Sequence, residues 1–174
     1  LIFDLFHALG CCTGSIYDGD TLRSEKVIII TDAYVDGAHI AALLITFFHE
    51  EMPELIKDGH LYLAVPPLYR LAQGGKTLYA RDEAHREELM ASEFRANAKV
   101  EVSRFKGLGE MLPAQLKETT MKPENRTLLQ IQLPEEEFKK TADCVNRLMG
   151  NKPEMRFRFI QDNAAFADEQ LLDI

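Results

Sequence analysis

The sequence lacks the features of several specialised protein classes. No apolar run approaches the ~20 residues that a membrane-spanning helix needs, and the longest one, at 40–48, is followed at once by the polar segment HEE. The chain does not begin with a basic segment and an apolar stretch, so no signal peptide is predicted. It contains no internal repeat and no low-complexity tract. Apolar residues make up 46% and charged residues 28% of the sequence, which excludes disorder as the main state.

Cysteine is scarce, and its arrangement indicates neither a disulfide framework nor a metal site. The three cysteines are Cys11, Cys12 and Cys144, and an adjacent pair rarely forms a useful disulfide. No Cys-x-x-Cys motif or Cys/His set with zinc-ligand spacing is present. Cys144 lies among apolar positions of a predicted helix and is predicted to be a small core residue. This cysteine usage predicts a reducing, cytoplasmic setting.

Positive charge is in short supply as well. Lysines and arginines number 20 against 28 aspartates and glutamates, which gives a net charge of −8. A protein that binds nucleic acid through surface charge alone is basic, so this composition argues against that class. An enzyme that acts on nucleic acid is still compatible with this net charge, because a site for divalent cations needs carboxylates and a partner subunit can supply the positive surface.

The 174 residues are enough for one domain, or one domain with an appendage, and their first half is typical of a βαβ unit. Residues 26–31 are a β-branched apolar run without alternation, as in a strand of a parallel sheet with both faces covered. Residues 38–51 have helical spacing, with the apolar residues at 43–45 and 47–48 predicted to lie in the core, and 60–65 indicate a second strand. The pattern therefore predicts an α/β fold.

Turn and capping residues organise the rest of the chain. Gly74 and Gly75 between two short strands predict a hairpin, and Asp82 is expected to cap an exposed helix over 83–90. Residues 91–99 form a weak linker. A strand at 100–104, a helix at 113–120, a strand at 127–133 and helices at 135–149 and 154–163 are predicted beyond it.

The most informative segment is TDAYVDGAHI at 31–40, where a predicted strand ends and a helix begins. Ligands of open α/β sheets bind outside the carboxyl ends of the strands. Asp32 and Asp36 could hold Mg²⁺ there while phosphate and water complete the octahedron, and His39 could reach a phosphate. A purely structural interpretation is equally open: Asp36 would cap the helix, Gly37 would permit the turn, and Asp32 would satisfy loop amides.

The second candidate is the segment RFKGLGE at 104–110. Its two glycines would let the backbone approach a ligand closely, and Arg104 and Lys106 could neutralise phosphate. A Gly-x-Gly turn between a strand and a helix is more often only a turn. No tyrosine has a neighbouring base that would activate it, so none is predicted to be a nucleophile.

Taken together, these segments closely resemble the B subunits of bacterial type IIA DNA topoisomerases. The likeness runs from about residue 9 to residue 163. It is carried by the segments 27–40 and 104–111, by FF at 47–48, MPELI at 52–56, GHLY at 59–62 and PPLY at 66–69. Two further segments, PAQLKETTM at 113–121 and LMGNKPE at 148–154, favour one branch of that family. Since the chain starts at Leu1 and not at a methionine, we expect a piece of a longer protein.

The resemblance implies a domain organisation. It implies a Toprim-type, Rossmann-like parallel sheet flanked by helices, with the first strand missing, and a smaller α+β C-terminal tail. The corresponding boundaries are a partial Toprim domain at 1–81, a linker helix and connection at 82–99, and the tail at 100–174. The tail would pack on the Toprim core and help to dock the A subunit.

The resemblance also implies a function. The B subunit would act with DNA and with the A subunit, in an A2B2 heterotetramer of the bacterial cytoplasm, associated with the nucleoid, that relaxes and decatenates DNA. Its ATP would bind to a domain that this chain does not contain. Asp32 and Asp36 would bind Mg²⁺, at a site that holds two metal ions in the family, and the nucleophile would be a tyrosine of the A subunit. His39, Lys106 and Arg104 are the candidates to contact DNA phosphate.

Two departures from the family pattern limit that expectation. The family has three aspartates at alternate positions, and here the middle one is Tyr34, which removes one of the strongest oxygen ligands for a hard cation. The family's glutamate, in a Glu-Gly-Asp-Ser motif on an earlier strand, is absent. We therefore expect no catalytic residue in this chain, no DNA cleavage by it alone, and weakened metal binding even in the complete protein.

Three other interpretations compete with a cleavage enzyme. The same fold could serve as a non-catalytic scaffold that docks a partner and DNA after losing its metal. A Toprim nuclease or primase fragment is a further alternative, but such a fragment has no reason to carry the segment at 113–121. A phosphoacceptor aspartate of the response-regulator kind would not explain the hairpin or the segment at 104–110.

Overall fold

A computed structural model describes residues 2–11, 14–32, 35–95 and 99–164 of the chain. The α-helices are, in chain order, α1 Ile2–Leu9, α2 Val35–Glu51, α3 Pro53–Lys57, α4 Glu83–Ser92, α5 Pro113–Leu116, α6 Phe138–Met149 and α7 Pro153–Asn163. The strands are β1 Val27–Ile29, β2 Leu61–Ala64, β3 Tyr69–Gln73, β4 Lys76–Ala80, β5 Glu101–Arg104 and β6 Leu128–Gln130. Short 3₁₀ turns lie at Gly14–Ile16, Gly19–Thr21, Leu108–Glu110 and Glu135–Glu137.

The chain divides into two compact units. The first contains residues 1–26, 42–61 and 131–174, and the second contains residues 27–41 and 62–130. This division differs from the domain boundaries implied by the resemblance, at 1–81 and 100–174, which stay predictions.

The second unit is built on two three-stranded sheets. One has the strand order β1-β2-β6 and the other β4-β3-β5. β1 and β2 are neighbours, as a βαβ unit requires, and the α/β class is confirmed. The pairs β2–β6, β3–β4 and β3–β5 are antiparallel, and the β3–β4 pair is the predicted hairpin. The β2–β6 pair joins the first half of the chain to a strand from its second half.

The side chains of β1 are less buried than its apolar composition predicts. Ile29 is buried, whereas Val27 and Ile28 are half-buried. β1 lies at the edge of its sheet, with β2 as its neighbour, so only part of its surface is packed.

The predicted hairpin and capped helix are both confirmed. β3 and β4 pair in the register Gln73↔Lys76, and Gly74 at the turn has a φ of +60°, a conformation that favours glycine. The Asp82 carboxylate accepts a hydrogen bond from the His85 amide at 2.8 Å at the start of α4, which has no buried residue. Leu71 on β3 and Ala80 on β4 are fully buried and form the core beneath the hairpin.

In the first unit, α3 and the adjoining chain supply the core. Met52, Leu55 and Leu61 are all fully buried. The ring of Phe47 stacks on Phe6 at 5.9 Å between centroids, which joins α2 to α1.

Three residues predicted to be core residues lie at the surface. Leu43 and Leu44 on α2 are 50% and 36% exposed, because nothing in the described part of the chain covers that face of the helix. Phe48 on the same helix is buried as predicted. Cys144 is exposed as well, and so it is not the core residue that we predicted. None of the residues of α6 is buried.

The helix predicted at 113–120 has two geometries. α5 ends at Leu116, and Lys117–Met121 forms a turn of π-helix with buried Thr119 and Thr120. A 3₁₀ turn replaces the first residues of the helix predicted at 135–149. Within the described residues, no helix is both long and apolar enough to cross a bilayer.

Candidate cation and phosphate site

The first predicted segment lies between β1 and α2, in the second unit. β1 ends at Ile29, residues 30–32 form a loop, and α2 begins at Val35. Asp32 therefore follows the strand as predicted, and its side chain is exposed. Tyr34, the departure from the family pattern, lies outside the described residues.

At Gly37 the backbone of this loop lies very close to the first turn of α2. Gly37 is buried in the first turn of α2, and a Cβ atom at this position would overlap the backbone carbonyl of Asp32. Its φ is not positive, so glycine is required for space and not, as the structural interpretation assumed, for turn conformation. Asp36 is the second residue of α2, inside the first turn, so it does not occupy the capping position.

The second predicted segment forms an anchored turn, residues 105–111, which we call the Lys106 loop. Phe105 and Met111 at its two ends are buried, and the Phe105 amide donates to the Leu68 carbonyl at 2.8 Å. The Lys106 amide donates to the Glu110 carboxylate at 2.8 Å. The side chain of Lys106 is left exposed between these anchors.

The structure brings the two segments into contact, although they are 76 positions apart. The Leu108 amide donates a hydrogen bond to Oδ1 of Asp32, with 2.7 Å between nitrogen and oxygen. A Cβ atom on Gly107 would lie 3.1 Å from the carboxyl carbon and both carboxyl oxygens of Asp32. Asp32 thus satisfies a loop amide, as the structural interpretation proposed, but the amide belongs to the other candidate segment.

The remaining candidates are exposed and lie on two elements. Asp36 and His39 occupy the first turns of α2, three positions apart and hence on one face of the helix. Arg104 ends β5, where it pairs with Tyr69 of β3, and Lys106 follows two residues later. Within the described part of the chain, no hydrogen bond or ion pair joins the side chains of these four residues to one another.

The residues present fit a shared Mg²⁺ site and not an all-protein cage. Among the described residues, no group of three or more histidine, cysteine, aspartate or glutamate side chains could hold a metal ion. Mg²⁺ needs fewer, because one or two carboxylates suffice when phosphate and water complete its octahedron. Asp32 is exposed, and its second oxygen, Oδ2, accepts no hydrogen bond within the described residues. Asp36 is the second exposed carboxylate of the segment.

Asp32 also lines a cavity of about 210 Å³. Thr31 and Arg81 are the other polar residues of its lining, together with Ala38 and Ala41 from α2. Of the described residues, neither Asp36 nor His39 contributes to that lining. Sequence reasoning missed Arg81 and the Leu108 amide. Neither carries a local signal, since Arg81 shares a cavity lining with Asp32, and the Leu108 amide bonds to it, only through long-range folding.

Two of the described tyrosines, Tyr69 and Tyr79, have raised pKa values. Burial raises the pKa of Tyr79, and the nearby Glu118 carboxylate raises it further. A hydrogen bond with Glu83, followed by burial, raises the pKa of Tyr69. A raised pKa disfavours the phenolate, so neither side chain is activated as a nucleophile.

Known proteins resemble this chain across the same segments. The family described as DNA gyrase B subunit, carboxyl terminus, matches residues 97–161, which include the Lys106 loop. Among longer relatives, a protein of Metamycoplasma hominis, named as the B subunit of DNA gyrase, is 44% identical over 167 residues, 96% of this chain and 25% of that protein. The chain is therefore a homologue of the B subunits of bacterial type II topoisomerases.

Two relatives of higher identity are more specific, and both are named as the B subunit of DNA topoisomerase 4. The one from Bartonella bacilliformis is 59% identical over 173 residues, 99% of this chain and 25% of the relative. The one from Caulobacter vibrioides is 61% identical over 168 residues, 97% of this chain and 24% of the relative. The segments at 113–121 and 148–154 favoured this topoisomerase 4 branch over gyrase, and the resemblance is confirmed. The chain spans about a quarter of the length of these relatives.

Proposed function

We propose that the chain supplies the cation-binding half of the DNA cleavage–religation site of a type II topoisomerase. The observation that carries the proposal is the hydrogen bond from the Leu108 amide to Asp32, which joins the acidic segment to the Lys106 loop. Carboxylates and a basic loop at one place are what a phosphodiester and a divalent cation need together.

The proposed roles follow from the positions of the residues. Asp32 and Asp36 hold Mg²⁺, and Lys106 and His39 contact the non-bridging oxygens of the DNA phosphate, with Arg104 nearby at the end of β5. When bound, the cation stabilises the negative charge that develops on the departing 3′ oxygen. Since all of these side chains are exposed, they can reach a duplex that docks from outside.

The nucleophile comes from a partner in this proposal. A tyrosine oxygen of the A subunit forms a bond to the DNA phosphorus, the bond from phosphorus to the 3′ oxygen breaks, and the phenolic proton ends on that oxygen. Religation is the reverse of this step. The glutamate that would move the proton, and the domain that would bind ATP to drive strand passage, belong to parts of the B subunit outside this sequence. The chain alone is therefore proposed to be inactive.

Further proposals concern the complete assembly. Two B subunits and two A subunits form an A2B2 complex that relaxes and decatenates DNA at the bacterial nucleoid. The net charge of the chain, −8, is consistent with this assembly, because the A subunit would supply most of the positive surface that binds DNA.

One observation favours a second candidate function, a non-catalytic scaffold that docks DNA and the A subunit. Tyr34 stands where the family pattern has an aspartate, and a neutral phenol offers a hard cation far less than a carboxylate. In the scaffold, Asp32 would serve only to hold the Lys106 loop.

Reconstituting the intact B subunit with its A subunit, DNA and Mg²⁺ separates the two candidates. The enzyme yields cleaved DNA, and Asp32→Asn lowers that yield at least about tenfold. Asp20→Asn removes another exposed carboxylate, from the 3₁₀ turn Gly19–Thr21, and leaves the yield unchanged. DNA binding without any cleavage by the unmodified protein supports the scaffold and overturns the enzyme.

A further inference from the structure

Among the described residues, one hydrogen bond joins the Lys106 loop to the proposed cation site. Phe105 and Met111 fix its ends in the core, and Glu110 receives the Lys106 amide within the loop itself. The Leu108 amide is the anchor that reaches outside the loop to Asp32.

The backbone of Gly107 lies close to the Asp32 carboxyl group. Gly107 has a φ of −160° and a ψ of 171°, an extended conformation that any residue adopts, so its backbone needs no glycine. Space favours glycine, because an added Cβ would lie 3.1 Å from three atoms of the Asp32 carboxyl group, which would have to shift by a few tenths of an ångström. The peptide between Gly107 and Leu108 therefore lies close against that carboxyl group.

Each oxygen of Asp32 then has a separate task. Oδ1 accepts the Leu108 N–H at 2.7 Å, and Oδ2 is left without a hydrogen bond in the described part of the chain. A carboxylate that is held at one oxygen by an amide presents the other in a fixed direction. Outer partners of this kind orient metal ligands, and their loss typically costs about 10–100-fold in metal affinity.

We propose that the Gly107–Leu108 peptide is a positioning element that couples the cation to the Lys106 loop. This inference rests on the proposed function, in which Asp32 binds Mg²⁺. The amide orients Asp32 for the cation, and the bound cation in turn fixes the loop that carries Lys106. The coupling is reciprocal, because linked binding equilibria strengthen each other by the same factor.

The loop supplies its own matched pair of variants. Gly107→Ala places a methyl group against the Asp32 carboxyl group, whereas a Cβ on Gly109 meets nothing within 4 Å. Neither glycine has a positive φ, so both variants are free of backbone strain. Asp32→Asn is a third variant, which keeps an acceptor for the Leu108 amide but removes the charge that a cation needs.

The first measurement is calorimetric titration of Mg²⁺ into the intact B subunit assembled with its A subunit. Gly107→Ala is expected to weaken Mg²⁺ binding by about tenfold or more. Gly109→Ala is expected to bind Mg²⁺ as the unmodified protein does. Matching circular dichroism and thermal unfolding of the two glycine variants establishes that both are folded.

The second measurement is amide hydrogen exchange of the peptide containing Leu108, with and without saturating Mg²⁺. In the unmodified protein, Mg²⁺ is expected to slow this exchange by about the same factor by which Gly107→Ala weakens Mg²⁺ binding. In Asp32→Asn the loop stays protected, but Mg²⁺ no longer adds to that protection.

The outcomes separate this inference from the function beneath it. If Asp32→Asn binds Mg²⁺ as tightly as the unmodified protein does, Asp32 is not a cation ligand, and the proposed function fails together with the inference. If Asp32→Asn loses Mg²⁺ while the two glycine variants bind it equally, the site stands and the coupling is wrong. The coupling is also wrong if the rate of amide exchange at Leu108 in the unmodified protein is the same with and without Mg²⁺.

Discussion

Tyr17 provides a prediction whose size follows from its surroundings. Its hydroxyl is buried and makes no hydrogen bond within the described residues. Burial, followed by the charge of Asp58, raises the pKa of Tyr17 from 10.0 to about 12, with smaller contributions from Cys11, Glu54 and Asp18. Replacing Tyr17 with phenylalanine removes a polar atom that has lost its water without gaining a partner.

The expected effect has two parts. At pH 7, Tyr17→Phe should raise the free energy of unfolding by about 1 kcal/mol, because an unpaired buried hydroxyl destabilises the native state. Because the pKa is raised, the ionised phenolate is disfavoured in the native state relative to the unfolded state, so the stability of the protein with Tyr17 falls as the pH rises from 10 toward 12. Two pKa units correspond to about 2.7 kcal/mol, of which about half is lost by about pH 11.

Urea unfolding of the unmodified protein and of Tyr17→Phe between about pH 7 and pH 11 tests these values. The other titrating groups are the same in the two proteins, so their contributions cancel in the difference between the two free energies of unfolding. The advantage of Tyr17→Phe should grow by about 1.4 kcal/mol over that range. Asp58→Asn serves as the control, because it removes the second cause of the raised pKa of Tyr17. In this variant, the stability lost when Tyr17 ionises should be smaller, and the loss should end at a lower pH. A difference that stays constant with pH would show that the Tyr17 hydroxyl is solvated, and the reasoning would be refuted.

Three further predictions concern the site. Lys106→Ala in the reconstituted complex should lower the yield of cleaved DNA without changing the melting temperature, and an unchanged yield at matched stability would remove Lys106 from the site. Tyr34→Asp should tighten Mg²⁺ binding measured by calorimetry, since a carboxylate replaces a neutral phenol; equal affinities would contradict the account of the altered motif. Gly37→Ala should lower the free energy of unfolding by about 1–3 kcal/mol, because the added Cβ overlaps the Asp32 carbonyl, whereas Gly75→Ala, in open space, should cost much less.

Local chemistry allowed much of the fold to be predicted. The turn at Gly74 and the cap at Asp82 are determined by the residues themselves, through left-handed backbone and a side-chain acceptor, and both were found where they were predicted. Periodicity likewise located most helices and strands to within a few residues. These features depend on neighbours in the sequence, so one sequence suffices to predict them.

The rest depends on contacts that no local pattern contains. The antiparallel return of β6 beside β2 pairs Tyr62 with Gln130, which are far apart in the chain. Leu43 and Leu44 are apolar at helical spacing but exposed, because apolar composition predicts burial only when something covers the helix. The candidate site shows the same limit: Asp32 and Lys106 were both predicted from the sequence, but the amide that links their segments was not.

Leu68 connects the β3–β4 hairpin to the Lys106 loop through its own peptide groups. Its amide donates to the Ala80 carbonyl at 3.0 Å, and its carbonyl accepts the Phe105 amide at 2.8 Å. Leu68 thus links β4 to the base of the loop, alongside the pairing of β3 with both β4 and β5. Substitutions in the hairpin that never meet a DNA strand would still alter where Lys106 is held, and screens for altered cleavage should sample them.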